Sequence, residues 1–212
     1  MLKINEIFFS IQGEGSRVGR PCVFVRLTGC PLRCAYCDSQ HAFEEGENLD
    51  ESEIVAKIER YPCRLIELTG GEPLAQPAAF PFATRLLDAG WEVVIETSGH
   101  VSLEGLDPRA IVIMDIKTPG SGQEHNMEWR NLDLLRAQDE IKIVVVDRAD
   151  FDWACDLIRR EPASTRCTVL LAPAHGRLEP GLLGRWILEQ GLPVRLQVQL
   201  HKYLWPEQGR GV

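Results

Sequence analysis

Much is missing from this sequence, and each gap excludes something. No stretch approaches the ~18 apolar residues of a membrane span, so no membrane association is expected. Basic residues are in the minority: 23 Lys and Arg stand against 31 Asp and Glu, a net charge of −8. A general nucleic-acid binder needs an extended basic face, so no direct nucleic-acid contact is expected. An anionic small substrate held by one or two arginines stays open. The start, MLKINEIFFSIQGEG, has a short apolar run broken by Asn5 and Glu6 and no small-residue cleavage site. A cytoplasmic location is expected. The seven cysteines are an odd number and three of them are bunched, which argues against a secreted disulfide framework. No internal repeat, low-complexity tract or long linker is visible.

What is present is ordinary for a globular chain. The 212 residues, 44% hydrophobic and 25% charged, suffice for one domain over 1–212 with a real core. From residue 22 onward, strand and helix patterns alternate. Strands are expected at 22–29, 64–71, 92–99, 110–117, 140–147, 167–173 and 194–201. Helices are expected at 50–60, 77–90, 127–136, 149–160 and 180–190. Asp50 or Ser52 is a candidate N-cap, and Gly90 and Gly191 are natural stops. Several strands are continuously apolar, as in parallel sheets covered on both faces. Seven strands fall short of a complete eight-stranded barrel. The fold class is therefore α/β, an incomplete (β/α) barrel of mostly parallel strands, with a doubly wound open sheet as the alternative. The polar stretch 118–126 is a candidate mobile loop.

Polar residues cluster where the strands end: Thr69 to Glu72, Glu96 to Gly99, Asp115 with Lys117, and His201 with Lys202. Turns are polar in general, but in βα barrels the carboxyl ends of the strands carry the active site. Cys22 and Cys167 lie in apolar runs and read as small buried hydrophobes. Glu14 and Arg17 tempt as catalytic groups, yet a polar turn explains them equally well.

GCPLRCAYCD, residues 29–38, holds Cys30, Cys34 and Cys37 in the spacing C-x3-C-x2-C. A structural zinc site closes with four ligands, commonly from two C-x2-C knuckles. Only Cys34 and Cys37 form such a knuckle; Cys22 or His41 would have to complete the set. A zinc-stabilised binding module is thus one alternative. A [4Fe–4S] cluster is normally held by four thiolates. With three, one iron keeps an open position, as a metal used for chemistry requires.

This loop, at the end of the first apolar strand, resembles the signature of the radical S-adenosylmethionine enzymes. Tyr36 before Cys37 matches the aromatic residue usual there. Gly70-Gly71-Glu72-Pro73 resembles the superfamily's GGE motif. Further, FFSIQGEGSRVGRPCVFVRLTGC is similar, nearly residue for residue, to the start of the 7-carboxy-7-deazaguanine synthases, and the likeness runs to QLHKYLW at 199–205. The resemblance implies conversion of 6-carboxy-5,6,7,8-tetrahydropterin to 7-carboxy-7-deazaguanine by radical ring contraction with loss of ammonia, in 7-deazapurine (queuosine) biosynthesis. It implies a [4Fe–4S] cluster on Cys30, Cys34 and Cys37, S-adenosylmethionine as a regenerated cofactor, and Mg2+ at Ser39. It places Tyr36, Cys37, Asp38, Gly71, Glu72, Ser98, Asp115 and Lys117 at S-adenosylmethionine. It places Ile11, Gln12, Gly13, Arg26 and Thr69 at the pterin, with Arg26 on the substrate carboxylate, where a guanidinium suits bidentate pairing. It assigns no proton-transfer group. It further implies a homodimer and an electron donor such as flavodoxin. The stretch 172–175, Ala-Pro-Ala-His, departs from the family's Gln-Pro-x-Asp. A glycyl-radical-enzyme activase is the other enzymatic alternative; it would lack the IQGEG entry and Arg26.

Overall fold

A computed structural model describes residues 1–212. Nine strands form one sheet: β1 (Leu2–Ile11), β2 (Pro21–Leu27), β3 (Glu47–Leu49), β4 (Leu65–Gly70), β5 (Glu92–Thr97), β6 (Ile111–Ile116), β7 (Glu140–Val145), β8 (Thr168–Pro173) and β9 (Arg195–Leu196). The helices are α1 (Glu51–Ile58), α2 (Ala79–Asp88), α3 (Asn131–Leu134), α4 (Arg148–Arg160), α5 (Ala163–Arg166), α6 (Pro180–Gln190) and α7 (Leu200–Leu204). The spatial order is β3-β1-β2-β4-β5-β6-β7-β8-β9. From β2 to β9 every neighbouring pair is parallel. This order never reverses. Because βαβ crossovers share one hand, the helices gather on one face and the sheet curls into an open barrel. A doubly wound sheet would reverse its order and is excluded.

Strand periodicity separates two environments. Outward residues such as Ile66, Leu68, Ile95, Met114 and Ile143 join the helices in an apolar cluster of 41 buried residues. Inward, Phe8, Cys22, Phe24, Leu65, Val94, Ile111 and Ile113 form a small apolar floor. Phe8 stacks on Phe24 with ring centroids 4.9 Å apart. Below the floor, the loop after β1 closes the barrel. Arg17 reaches Glu92 at 2.7 Å and Glu140 at 3.4 Å, and Arg20 reaches Glu92 at 2.7 Å. Arg17 therefore seals the end opposite the cysteine loop.

Four expectations change. Leu2–Ile11 is a ten-residue strand antiparallel to β2, although Asn5 and Glu6 interrupt its apolar pattern. Both have tertiary partners: the Asn5 amide donates to the carbonyls of His41 and Glu45, and Glu6 pairs with Arg26. The expected strand 194–201 is only Arg195–Leu196. Gln197 and Gln199 turn their side chains inward to Glu14, and the Leu200 N–H donates to the Gly13 carbonyl. The chain thus folds over the loop after β1 instead of extending the ladder. A Cβ on Gly13 would lie 2.4 Å from His201 Nδ1, so this crossing requires glycine. The expected helix 127–136 shortens to Asn131–Leu134, because Asn131 spends its side chain bonding Gly99, Val101 and Leu103. Finally, the first part of 118–126 is anchored. Thr118 and Ser121 are fully buried, Asp150 accepts from Thr118 Oγ1 and the Gly120 N–H, and the Ala35 N–H donates to the Ser121 carbonyl. No helix is long and apolar enough to cross a membrane.

Candidate active site

The carboxyl ends of the strands open into one large cavity. The loop after β2 forms one wall, with Cys30, Cys34, Cys37, Tyr36, Asp38 and Ser39. All three thiols are free and half-buried. Burial pushes each thiol pKa up, and the Lys117 ammonium pulls each back. No three His, Cys, Asp or Glu side chains converge on a point that would hold a single ion. Three thiols spaced along one wall would instead suit a larger, multi-iron group.

The Gly-Gly pair after β4 lies directly under this loop. A Cβ on Gly70 would meet the Leu27 carbonyl oxygen at 2.2 Å, and one on Gly71 would meet the Gly29 carbonyl oxygen at 2.3 Å. The glycines allow strand and cysteine loop to touch. Gly71 still lines the cavity, as do Ser98, Asp115 and Lys117 across from it.

Glu72, expected at S-adenosylmethionine, lies just behind the lining. It is completely buried. One oxygen accepts from the Leu74 N–H and Thr97 Oγ1, at 3.0 and 2.8 Å; the other accepts from the N–H and Oγ of Ser98, both at 2.7 Å. With both oxygens satisfied, Glu72 acts on the site by fixing Ser98 at the end of β5.

Gln12 also differs. It borders the cavity but its polar atoms are already engaged. Nε2 donates to Glu67, Oε1 accepts from the Glu14 N–H at 3.0 Å, and its backbone groups bond Arg20 and Gly19 at 2.8 Å. It braces the IQGEG turn, while Ile11 and Gly13 beside it line the cavity. Arg26 does face the cavity with free donors: its Nε donates to Glu6 at 2.8 Å, and its two terminal nitrogens have no protein partner. Thr69, its neighbour across β2 and β4, donates to Glu96 at 3.0 Å.

Inside the barrel lies a charged layer that the sequence reading only partly found. Lys142 on β7 is buried and bonds Glu14 at 2.7 Å and also Glu96, with Asp115 at 3.9 Å. Burial alone would lower the Lys142 pKa, but these carboxylates raise it well above the ordinary value. Lys117 bonds Asp115 at 2.8 Å and is likewise raised, its burial outweighed by that carboxylate. Burial opposes the ionisation of Glu96, yet Lys142 holds its pKa down. Glu67 is the exception: burial, then the Glu96 and Glu14 charges, push it well above the ordinary carboxylate range. Glu67 and Lys142 were missed. Their signal was a charge within an apolar strand run, in LIELTG and EIKIVV, at positions of inward parity. Glu14, left open between a catalytic group and a polar turn, is part of the layer, whereas Arg17 belongs to the base. Ala172 to His175 and the segment Gln208–Val212 complete the rim, with Arg210 2.9 Å from Glu45.

Known proteins with this arrangement can now be compared. The model of the radical SAM superfamily matches residues 24–115. The 7-carboxy-7-deazaguanine synthase of Koribacter versatilis is 41% identical over the whole of both chains. That of Chlorobaculum tepidum is 43% identical over all of this chain and 97% of its own. The chain belongs to the 7-carboxy-7-deazaguanine synthase family. The crystal structure of QueE from Escherichia coli superposes with a TM-score of 0.79 at 26% identity, covering 94% of each chain. The chain is thus an enzyme of the radical S-adenosylmethionine class, and a [4Fe–4S] cluster and S-adenosylmethionine are its cofactors. The free three-thiol wall facing one cavity fits them.

Proposed function

We propose that this chain converts 6-carboxy-5,6,7,8-tetrahydropterin to 7-carboxy-7-deazaguanine and ammonia in the cavity at the carboxyl ends of its strands. One observation carries the substrate placement. Arg26 brings two unpaired guanidinium nitrogens to the same cavity that the three thiols line. Cys30, Cys34 and Cys37 hold the cluster. With S-adenosylmethionine bound, that cluster would supply the radical chemistry for hydrogen-atom removal at C6 of the pterin.

The protein's part is placement and charge. Arg26 holds the substrate carboxylate, which is attached to C6, and so fixes the reacting carbon near the cysteine loop. Glu6 keeps the Arg26 fork in orientation through Nε. Thr69 and the turn Ile11-Gln12-Gly13, all lining the cavity, border the ring. Tyr36, Asp38, Gly71, Ser98, Asp115 and Lys117 line the S-adenosylmethionine side, and Glu72 positions Ser98 from behind. Ser39 offers Mg2+ a hard oxygen beside Asp38, 3.0 Å away; Mg2+ completes its shell with waters and substrate oxygens. A homodimer, a cytoplasmic setting and a one-electron donor such as flavodoxin are part of the same reading, supported by family likeness.

Anaerobically reconstituted protein, given the carboxytetrahydropterin, reductant, S-adenosylmethionine and Mg2+, should release the deazapurine and ammonia. Formation of neither would overturn the reading. Arg26→Ala should raise KM for the pterin by about 10- to 100-fold, the loss of a charge-assisted pair, with iron content unchanged. An unaltered KM would remove the carboxylate assignment.

A further inference from the structure

The charged layer contains four carboxylates, Glu14, Glu67, Glu96 and Asp115. Three of them touch a lysine. Glu67 makes no ion pair, and its one partner is the neutral amide of Gln12. It is only 3% exposed. A carboxyl buried without a cation keeps its proton.

Gln12 then determines where that proton sits. Its Oε1 is held by the Glu14 N–H, so its Nε2 must face Glu67 as a donor. The Glu67 oxygen opposite, Oε2, therefore has to accept. The proton is left on Oε1, which has no partner in the protein, and Glu67 borders the cavity. In the β2–β4 register, Glu67 pairs with Phe24, two residues before the Arg26–Thr69 pair. It lies about 7 Å deeper, two residues of strand rise, on the side away from the cysteine loop. Arg26 holds the reacting end of a pterin near that loop, so the pyrimidine half points toward the Glu67 level.

We propose that Glu67 is a specificity-determining residue that donates its Oε1 proton to the ring carbonyl oxygen of the pterin's pyrimidine half. This rests on the pterin-site reading above. The carbonyl oxygen is a strong acceptor on that edge. A site built around a buried donor rejects an analogue that offers it another donor, because two hydrogens then face each other unpaired. An ionised carboxylate would have the opposite preference, accepting from an amino group at that ring position.

The test compares 6-carboxypterin with the analogue carrying a 4-amino group in place of the 4-oxo group. Dissociation constants are measured by fluorescence titration of the full chain, reconstituted and supplied with S-adenosylmethionine and Mg2+. Wild type should favour the oxo compound by at least about tenfold. Glu67→Gln should keep that preference: its carbonyl must face Gln12, which leaves the amide N–H in the place of the acid proton. Glu67→Met, similar in volume, should lose the preference. If Glu67 merely braced Gln12, Met would weaken both ligands equally and leave the ratio intact; that result overturns the proposal, as does absence of preference in wild type. Should the Met variant not fold, loss of preference in the Gln variant still overturns it, and its retention beside a wild-type preference supports it. Turnover of the carboxytetrahydropterin by wild type is read separately, so failure of the family reaction is distinguishable from failure of the Glu67 assignment.

Discussion

The parallel strands show two chemistries on two faces. On β4, Ile66 and Leu68 face outward into the helix-covered core, while Glu67 and Thr69 face inward. On β7, Ile141, Ile143 and Val145 face outward, while Glu140 and Lys142 face inward. The outer face gathers 41 buried hydrophobic residues in one cluster, the inner floor only seven. Burying one such side chain is worth roughly 1.5–3 kcal/mol, so the outer face carries most of the stability. The inner face is then free to hold buried charge, which stabilises little in itself. The alternation of a strand lets adjacent residues serve these two ends.

The largest contrast to test lies between two cysteines. Cys34→Ser removes one of three thiolates and should abolish both cluster iron and turnover, with far-UV circular dichroism unchanged. Cys22→Ala, in the apolar floor, should retain iron and lose only ~1 kcal/mol, about one small buried group. Iron and sulfide analysis after anaerobic reconstitution reads both. Full iron in the Ser variant, or none in the Ala variant, would break the division between loop and floor.

The next test sets the faces against each other at similar loss of stability. Phe82→Ala empties a fully buried site on the outer side and should destabilise by about 3–5 kcal/mol. Turnover per folded molecule should not change. Lys142→Met leaves Glu14 and Glu96 without their buried cation and should also destabilise by about 3–5 kcal/mol. Here turnover per folded molecule should collapse, because the charged layer lines the substrate cavity. Urea unfolding and activity corrected for folded fraction separate the two. Equal effects on turnover would erase the distinction.

How much of this was legible follows the same division. The outer faces of β5 to β8 were readable as continuous apolar runs, and with them the barrel. The cysteine loop, Arg26 and the Gly-Gly pair were readable because each is a local pattern. What escaped depended on distant partners. The polar interruption of β1 is matched by Arg26, His41 and Glu45. The GGE pattern gave no sign that Glu72 would also hold Ser98, 26 residues away. Glu67 and Lys142 fell within strands recognised for their hydrophobicity, and their inward parity matters only once the sheet is curled.

The finest test concerns the charge of that interior. Burial, then the Glu96 and Glu14 charges, raise the Glu67 pKa well above the ordinary carboxylate value of 4.5, against the opposing pull of Lys142 and Gln12. Above pH 4.5 the folded chain therefore holds a proton that the unfolded chain releases. Stability tied to this group is full below that pH and falls as pH rises toward the folded pKa. Glu67→Gln removes the linkage, since an amide has no proton to lose in either state. The stability of the Gln variant relative to wild type should then increase with pH, by at most about 1.4 kcal/mol per pH unit. The lowered groups Glu92 and Glu96 oppose the trend in each protein, but taking the difference between the two largely removes them. Urea midpoints at about pH 5 and about pH 7.5 suffice. A flat difference would mean that Glu67 is ionised when folded, with Lys142 serving a fourth carboxylate, and the interior would then be a network of ions with no neutral donor at its base.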